Sequence, residues 1–162
     1  MNTFEEIVKI LKEYNLKISC AESCTGGLFV SSIVAVPDAS SVLQASFVTY
    51  SEQSKVKFVN VCEDTLLKYG VVSENVAVEM AKGVCDTAEC DVGVAITGYA
   101  GPASCDEDKT VGTVCFGFCI NGITVSSEKH FGDVGRNVVR ELSCVYAADT
   151  LLKLLKKFGD KK

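Results

Sequence analysis

Apolar residues along the chain alternate between two spacings, and each change of spacing marks an element. Phe4, Ile7, Val8, Ile10 and Leu11 recur at helical intervals and predict a helix over residues 4–14. Leu16–Ala21 reads as a strand. The series Leu28, Phe29, Val30, Ile33, Val34 then belongs to a helix from Thr25 to about Ala35, ended by Pro37-Asp38. Ser46–Tyr50 alternates in β-rich residues as a second strand, and helical character returns from Ser51 to about Val59. A short helix over Asp64–Tyr69 stops at Gly70. Ser73, with Glu74 in the first turn, has the chemistry of an N-cap and opens a helix to about Thr87. Asp91–Thr97 is a compact apolar strand, and the polar segment 103–110 is a loop. Val111–Ile120 and Ile123–His130 are strand-like runs joined by Asn121-Gly122, a strong signal for a tight hairpin. An amphipathic helix over Arg136–Phe158 and a tail over Gly159–Lys162 complete the chain.

This order predicts an α/β fold, one mixed sheet with helices on both faces. No repeat or linker interrupts it, so a single domain over residues 1–162 is expected. The balance of 48% hydrophobic and 23% charged residues is that of a soluble globular protein. A net charge of −5 argues against a nucleic-acid backbone as partner. With no signal peptide and no apolar run long enough to span a bilayer, a cytoplasmic protein without membrane contact is expected. Nine cysteines without a Cys-x-x-Cys pair read mostly as small buried hydrophobes, and one histidine leaves little for a metal site, so no metal is expected.

Candidate chemistry concentrates in two glycine-containing turns, Ser23–Gly27 and Thr97–Gly101, each following a strand. If the first and third strands are parallel neighbours, both turns open on one sheet edge, where α/β folds bind ligands. A serine at such a turn lies beside helix N–H groups that favour an anion or a developing oxyanion, which makes Ser23 the candidate nucleophile. Its base could be His130, which reads instead as a strand end on the surface. It could also be a lysine whose pKa is lowered by burial or by a nearby cation. Lys55 follows the second strand and could reach the same edge, although a lysine there is ordinarily solvated. Cys24 ranks below Ser23 because only the helix end would lower its pKa. Arg136 and Arg140, one helical turn apart, could clamp a phosphate or carboxylate. The glycines form neither a Walker loop nor a G-x-G-x-x-G fingerprint, so no nucleotide cofactor is implied.

Together these residues resemble a known family. Ala21-Glu22-Ser23-Cys24-Thr25-Gly26-Gly27 is similar to the A-E-S-C-T-G-G motif of the CinA C-terminal domain family (competence/damage-inducible protein CinA), whose stand-alone members are nicotinamide mononucleotide deamidases of the PncC type. The resemblance continues through Tyr50-Ser51 with Lys55, Val72-Ser73-Glu74, Ala95–Pro102 and Val111–Val114. It implies a three-layer α/β/α fold with a mixed, mostly parallel sheet of about five strands. It also implies a cofactor-free Ser/Lys amidohydrolase converting nicotinamide mononucleotide to nicotinate mononucleotide and ammonia.

Carried onto this chain, the resemblance makes Ser23 the nucleophile and Lys55 the general base, with Tyr50 and Thr97 lining the catalytic centre. Thr25, Gly26, Gly27, Gly98, Ala100 and Gly101 would bind or shape the backbone around the substrate, and Arg136 and Arg140 would hold its phosphate. A small-molecule nucleotide partner and a homodimer are expected. The chain departs from the family in carrying Glu52 for the usual Asn, an acidic 103–108 loop for a glycine-rich one, and Gly132-Asp133-Val134-Gly135-Arg136 for a G-D-R run. Glu52 would raise the pKa of Lys55. Two alternatives follow: a catalytically weak or inactive nucleotide-binding regulatory domain, or an amidase for another carboxamide.

Overall fold

The computed structural model describes residues 2–103 and 109–159. The helices are α1 (Thr3–Glu13), α2 (Leu28–Val34), α3 (Glu52–Val59), α4 (Glu63–Tyr69), α5 (Glu74–Ala88) and α6 (Arg136–Gly159). The strands are β1 (Ile18–Glu22), β2 (Leu43–Val48), β3 (Val92–Gly98), β4 (Thr113–Ile120) and β5 (Ile123–His130). They form one sheet in the order β2-β1-β3-β4-β5. β2, β1 and β3 are parallel, β4 is antiparallel to β3, and β5 is antiparallel to β4. Strand β4 alone therefore runs against the rest.

The sheet separates two helical layers. On one face α1, α2 and α6 bury Ile7, Leu11, Phe29, Ile33, Leu151 and Leu155 against Ile18, Cys20, Val94, Ile96, Phe116 and Phe118. On the other, Val59, Val76, Met80 and Val84 cover Ala21, Ala95 and Cys119. Alternation along each strand sends successive side chains into the two cores. Helix α5 lies directly on the sheet, because Gly93 and Gly117 leave no Cβ beneath the Ala81 and Ala77 carbonyls. Any side chain at Gly117 would occupy the space of the α5 backbone.

Several boundaries differ from the sequence reading for physical reasons. Gly26 and Gly27 take positive φ of 61° and 98°, so α2 begins at Leu28 rather than Thr25. Pairing of Ile18 with Leu43 draws β2 to Leu43–Val48, earlier than Ser46–Tyr50. A turn through Gly112, at φ 88°, delays β4 to Thr113. Ser73 does cap α5, its hydroxyl accepting the Val76 amide at 3.2 Å. Of the cysteines, Cys20, Cys24, Cys85, Cys115, Cys119 and Cys144 are buried, Cys62 is exposed and Cys90 is intermediate. Cys105 and the rest of the acidic loop at 104–108 lie outside the described residues, as does the tail from 160 to 162.

Candidate active site

Ser23 is the first residue past β1. Its N–H donates to Ile96 O at 2.9 Å and extends the ladder to β3 by one step. Since Glu22 pairs with Ile96, Ser23 lies beside Thr97, on the sheet face of Ala21 and Ala95. The end of β2 is held next to it by Thr49 N–H on Glu22 O at 2.8 Å. Helix α3 starts immediately afterwards, capped by Ser51. Lys55 and Val59, four residues apart, share the one buried face of that helix.

Lys55 Nζ donates to Ser23 Oγ at 3.1 Å and to Thr49 O at 2.6 Å. The lysine is fully buried and Ser23 is 8% exposed. No carboxylate forms an ion pair with Lys55 among the described residues. Burial therefore penalises the ammonium and lowers the Lys55 pKa from 10.5 to about 8. Cys24 and Glu52 act in the opposite sense and are outweighed. The expected effect of Glu52 is present in direction, but Glu52 is exposed and desolvation dominates. Near neutral pH a useful fraction of Lys55 is then neutral, with a lone pair to accept the serine proton.

The helix terminus beside Ser23 differs from expectation. The buried Glu22 carboxylate accepts the amides of Gly27 at 3.0 Å, Phe29 at 3.1 Å and Val30 at 2.9 Å. Those donors of α2 are occupied. The turn's own bonds run from Gly26 N to Ser23 O and from Leu28 N to Thr25 O. Neither uses the Cys24 and Thr25 amides, which directly follow the candidate nucleophile. The hydroxyls of Thr25 and Thr49 are buried with no hydrogen-bond partner among the described residues. A polar ligand group could satisfy them. Glu22 and Thr49 were missed by sequence reasoning. An acid followed five to eight residues later by the opening of a helix was the available signal for Glu22.

The second turn is joined to the first through α6. Arg140 Nε donates to Cys24 O at 3.0 Å and Nη2 to Thr25 O at 2.9 Å. Arg136 Nη1 donates to Gly101 O at 2.6 Å and Nη2 to the Tyr50 hydroxyl at 2.9 Å. Arg140 therefore holds the first turn and Arg136 the second, and Arg140 Nη1 also donates to Asn137 Oδ1 at 3.0 Å, so part of each guanidinium is spent within the protein. Arg136 is exposed and keeps further N–H groups toward solvent. Tyr50 is 61% exposed at the rim. Thr97 is buried with its hydroxyl donating to Val71 O at 3.0 Å. Gly98 is a packing requirement of the sheet, since a Cβ would stand 2.7 Å from Val114 Cγ2. Ala100 is buried, and Gly101 adopts φ 98°.

The other candidates fall away from this cluster. His130 ends β5, its ring held by Thr113 Oγ1 at 3.1 Å and Glu128 at 3.0 Å. Cys24 is buried, and burial pushes its thiol up to about 12, unsuited to a nucleophile. The apolar groove between β5 and α6, lined by Phe118, Ile123, Val125, Leu154 and Phe158, shares no residue with the Ser23 site. No group of three or more metal-ligating side chains occurs among the described residues. No described helix is long and apolar enough to cross a membrane.

The fold and site define a class: a three-layer α/β/α domain whose parallel strand ends present a serine against a buried lysine. Residues 2–155 match the family model of the CinA C-terminal domain, and the chain belongs to that family. It is 49% identical over 150 residues to a putative competence-damage inducible protein of Alkaliphilus oremlandii, covering 92% of this chain and 36% of the relative. It is 41% identical over 151 residues to a CinA-like protein of Kosmotoga olearia, covering 93% and 36%. The chain thus spans little more than a third of these relatives' length. A CinA superfamily crystal structure from Escherichia coli superposes with a TM-score of 0.91 at 37% identity, covering 94% of this chain and 88% of that one. The competence/damage inducible protein CihA from Agrobacterium tumefaciens gives 0.88 at 33% identity, covering 95% and 96%.

Proposed function

We propose that this domain is a nicotinamide-nucleotide amidohydrolase in which Ser23 is the nucleophile and Lys55 the general base. One observation carries the reading: a fully buried Lys55 Nζ lies 3.1 Å from Ser23 Oγ, with no carboxylate paired to it among the described residues. The family resemblance supplies nicotinamide mononucleotide as the substrate.

Neutral Lys55 takes the Ser23 proton as Oγ bonds the carboxamide carbon. The oxyanion is received by backbone N–H groups at the Cys24–Thr25 turn; one such donor is typically worth about 3–4 kcal/mol in the barrier. Lys55 then returns the proton to departing ammonia, leaving an acyl-serine. Water, deprotonated by Lys55, attacks that ester and releases nicotinate mononucleotide and Ser23. Thr97, Gly98, Ala100 and Gly101 form the neighbouring wall of the site. Arg136 and Arg140 hold the phosphate with the N–H groups the protein leaves free, and Tyr50 orients Arg136. The reading includes a cytoplasmic location and a homodimer, checked by fractionation and light scattering.

The direct experiment is ammonia release from nicotinamide mononucleotide by purified protein, with Ser23→Ala as control. Turnover that survives the substitution overturns the nucleophile assignment. Glu52, which acts against a neutral Lys55, favours a second reading as a nucleotide-binding regulatory domain. Thermal stabilisation by the mononucleotide without ammonia release would select it. Release from a different carboxamide in a substrate panel would select the other-amidase reading.

A further inference from the structure

Helix α5 ends in a turn that brings two cysteines together. Glu89 takes the left-handed conformation at φ 51°, and Cys90 N–H returns to Cys85 O at 3.1 Å. This six-to-one hydrogen bond around a left-handed residue is a Schellman closure. It brings the side chain of the last helical turn against that of the residue just beyond the cap. The contact is ordinarily apolar, but here both residues are cysteines. Cys85 and Cys119, the latter on β4, belong to one buried cluster, and Cys90 packs against it. Cys85 and Cys119 are 7% and 2% exposed, whereas Cys90 is only half-buried at the outer end of the cluster. Cys90 also donates through Sγ to Val92 O at 3.4 Å.

We propose that Cys90 is a site of reversible thiol oxidation by hydroperoxides and that Cys85 is its resolving partner, the pair closing a disulfide across the C-terminal turn of α5. The two environments divide the roles. A hydrogen bond from Cys85 lowers the Cys90 pKa, helped by Ser19 and opposed by burial. The same bond and burial raise the Cys85 pKa. Cys90 is thus the less buried of the two and the one whose pKa is lowered toward the thiolate, the form that reacts with peroxides.

The chemistry balances with hydrogen peroxide as oxidant. Cys90 thiolate attacks one peroxide oxygen, the O–O bond breaks, and the departing hydroxide leaves as water after taking a proton. Cys90 is then a sulfenic acid. The Cys85 sulfur attacks the Cys90 sulfur, the S–S bond forms, and the S–O bond breaks. Hydroxide leaves and takes the Cys85 proton as a second water. Two thiols are oxidised and one peroxide is reduced. A dithiol reductant reverses the bond by exchange.

The test is peptide mapping of the intact protein after dilute hydrogen peroxide and thiol blocking, without reductant. Exposed Cys62 serves as the internal standard. The expected product is an intramolecular Cys85–Cys90 link that disappears on reduction and forms before Cys62 is consumed. Cys85→Ser should abolish the link and leave a dimedone-trappable sulfenic acid on Cys90, while Cys119→Ser should still form it. Unfolding curves of both variants confirm that each is folded. A Cys90–Cys119 link, or Cys90 remaining free while Cys62 oxidises, overturns the proposal.

Discussion

The Glu22 carboxylate accepts the Val30 amide at 2.9 Å, so the residue before Ser23 occupies the start of the following helix. With the Gly27 and Phe29 amides on its other oxygen, Glu22 is an internal anion at the positive end of α2. It fixes the turn that carries Ser23 and occupies the amides of Gly27, Phe29 and Val30.

Glu22→Gln should therefore destabilise the domain by about 2–4 kcal/mol, because a neutral amide replaces a carboxylate with three bonds and turns an NH2 toward backbone donors. Urea unfolding measures it. Turnover by the fraction still folded should fall as well. Unchanged stability would show that the carboxylate is not needed at the cap.

Ser23→Ala and Lys55→Met should each reduce ammonia release by about a thousandfold or more, since nucleophile and base act as a unit. The double variant should be scarcely worse than either single one. Additive losses would refute the pairing, and circular dichroism checks that the fold persists.

The rate should rise with pH, because only neutral Lys55 accepts the serine proton. With a pKa of about 8, log kcat/KM should climb with unit slope below that value and level off above it. Glu52→Gln should move the midpoint downward, since Glu52 acts to raise this pKa. A midpoint that stays fixed would remove Glu52 from the electrostatics of the base.

Burial of Lys55 also couples folding to pH. Between about 8 and 10.5 the unfolded lysine keeps its proton while the folded one has lost it, so stability from this group rises with pH. Below pH 8 the folded chain bears the full burial penalty, about 3 kcal/mol for this shift. Wild type should gain on Lys55→Met across that window by up to about 1.4 kcal/mol per pH unit. Parallel stability curves for the two proteins would contradict it.

The two arginines should separate in kinetics. Arg136→Ala should raise KM for the mononucleotide by about tenfold or more, through loss of a charge-assisted bond. It should change KM little for the dephosphorylated nucleoside. Arg140→Ala should also raise KM for the mononucleotide, and because it frees the Cys24 and Thr25 carbonyls it should in addition depress kcat for both substrates. Equal effects of Arg136→Ala on both would remove the phosphate from its role.

The sequence and the structure agree best where chemistry is local. Ser73 ahead of Glu74 caps α5, Asn121-Gly122 turns the hairpin, and the two glycine turns do fall on adjacent parallel strands. Lys55 was harder to place, because α3 offers only Lys55 and Val59 as buried positions and a lysine on a two-turn helix looks solvated. Its burial is decided by β2 lying beside β1, a contact between distant segments. The cap of α2 was misjudged for a similar reason. The left-handed glycines delay the helix until its donors face back toward Glu22, a geometry that residue spacing alone does not encode.

The hairpin turn at Asn121-Gly122 offers a practical consequence. Both residues are exposed, and the space around Gly122 is open. Ser23, Lys55 and Thr97 all precede this turn, and both arginines follow it. New termini or a reporter introduced there would leave the serine–lysine pair within one continuous segment, with the arginine-bearing helix in the other. The domain could then be divided into two pieces whose reassociation is read out by the return of catalysis.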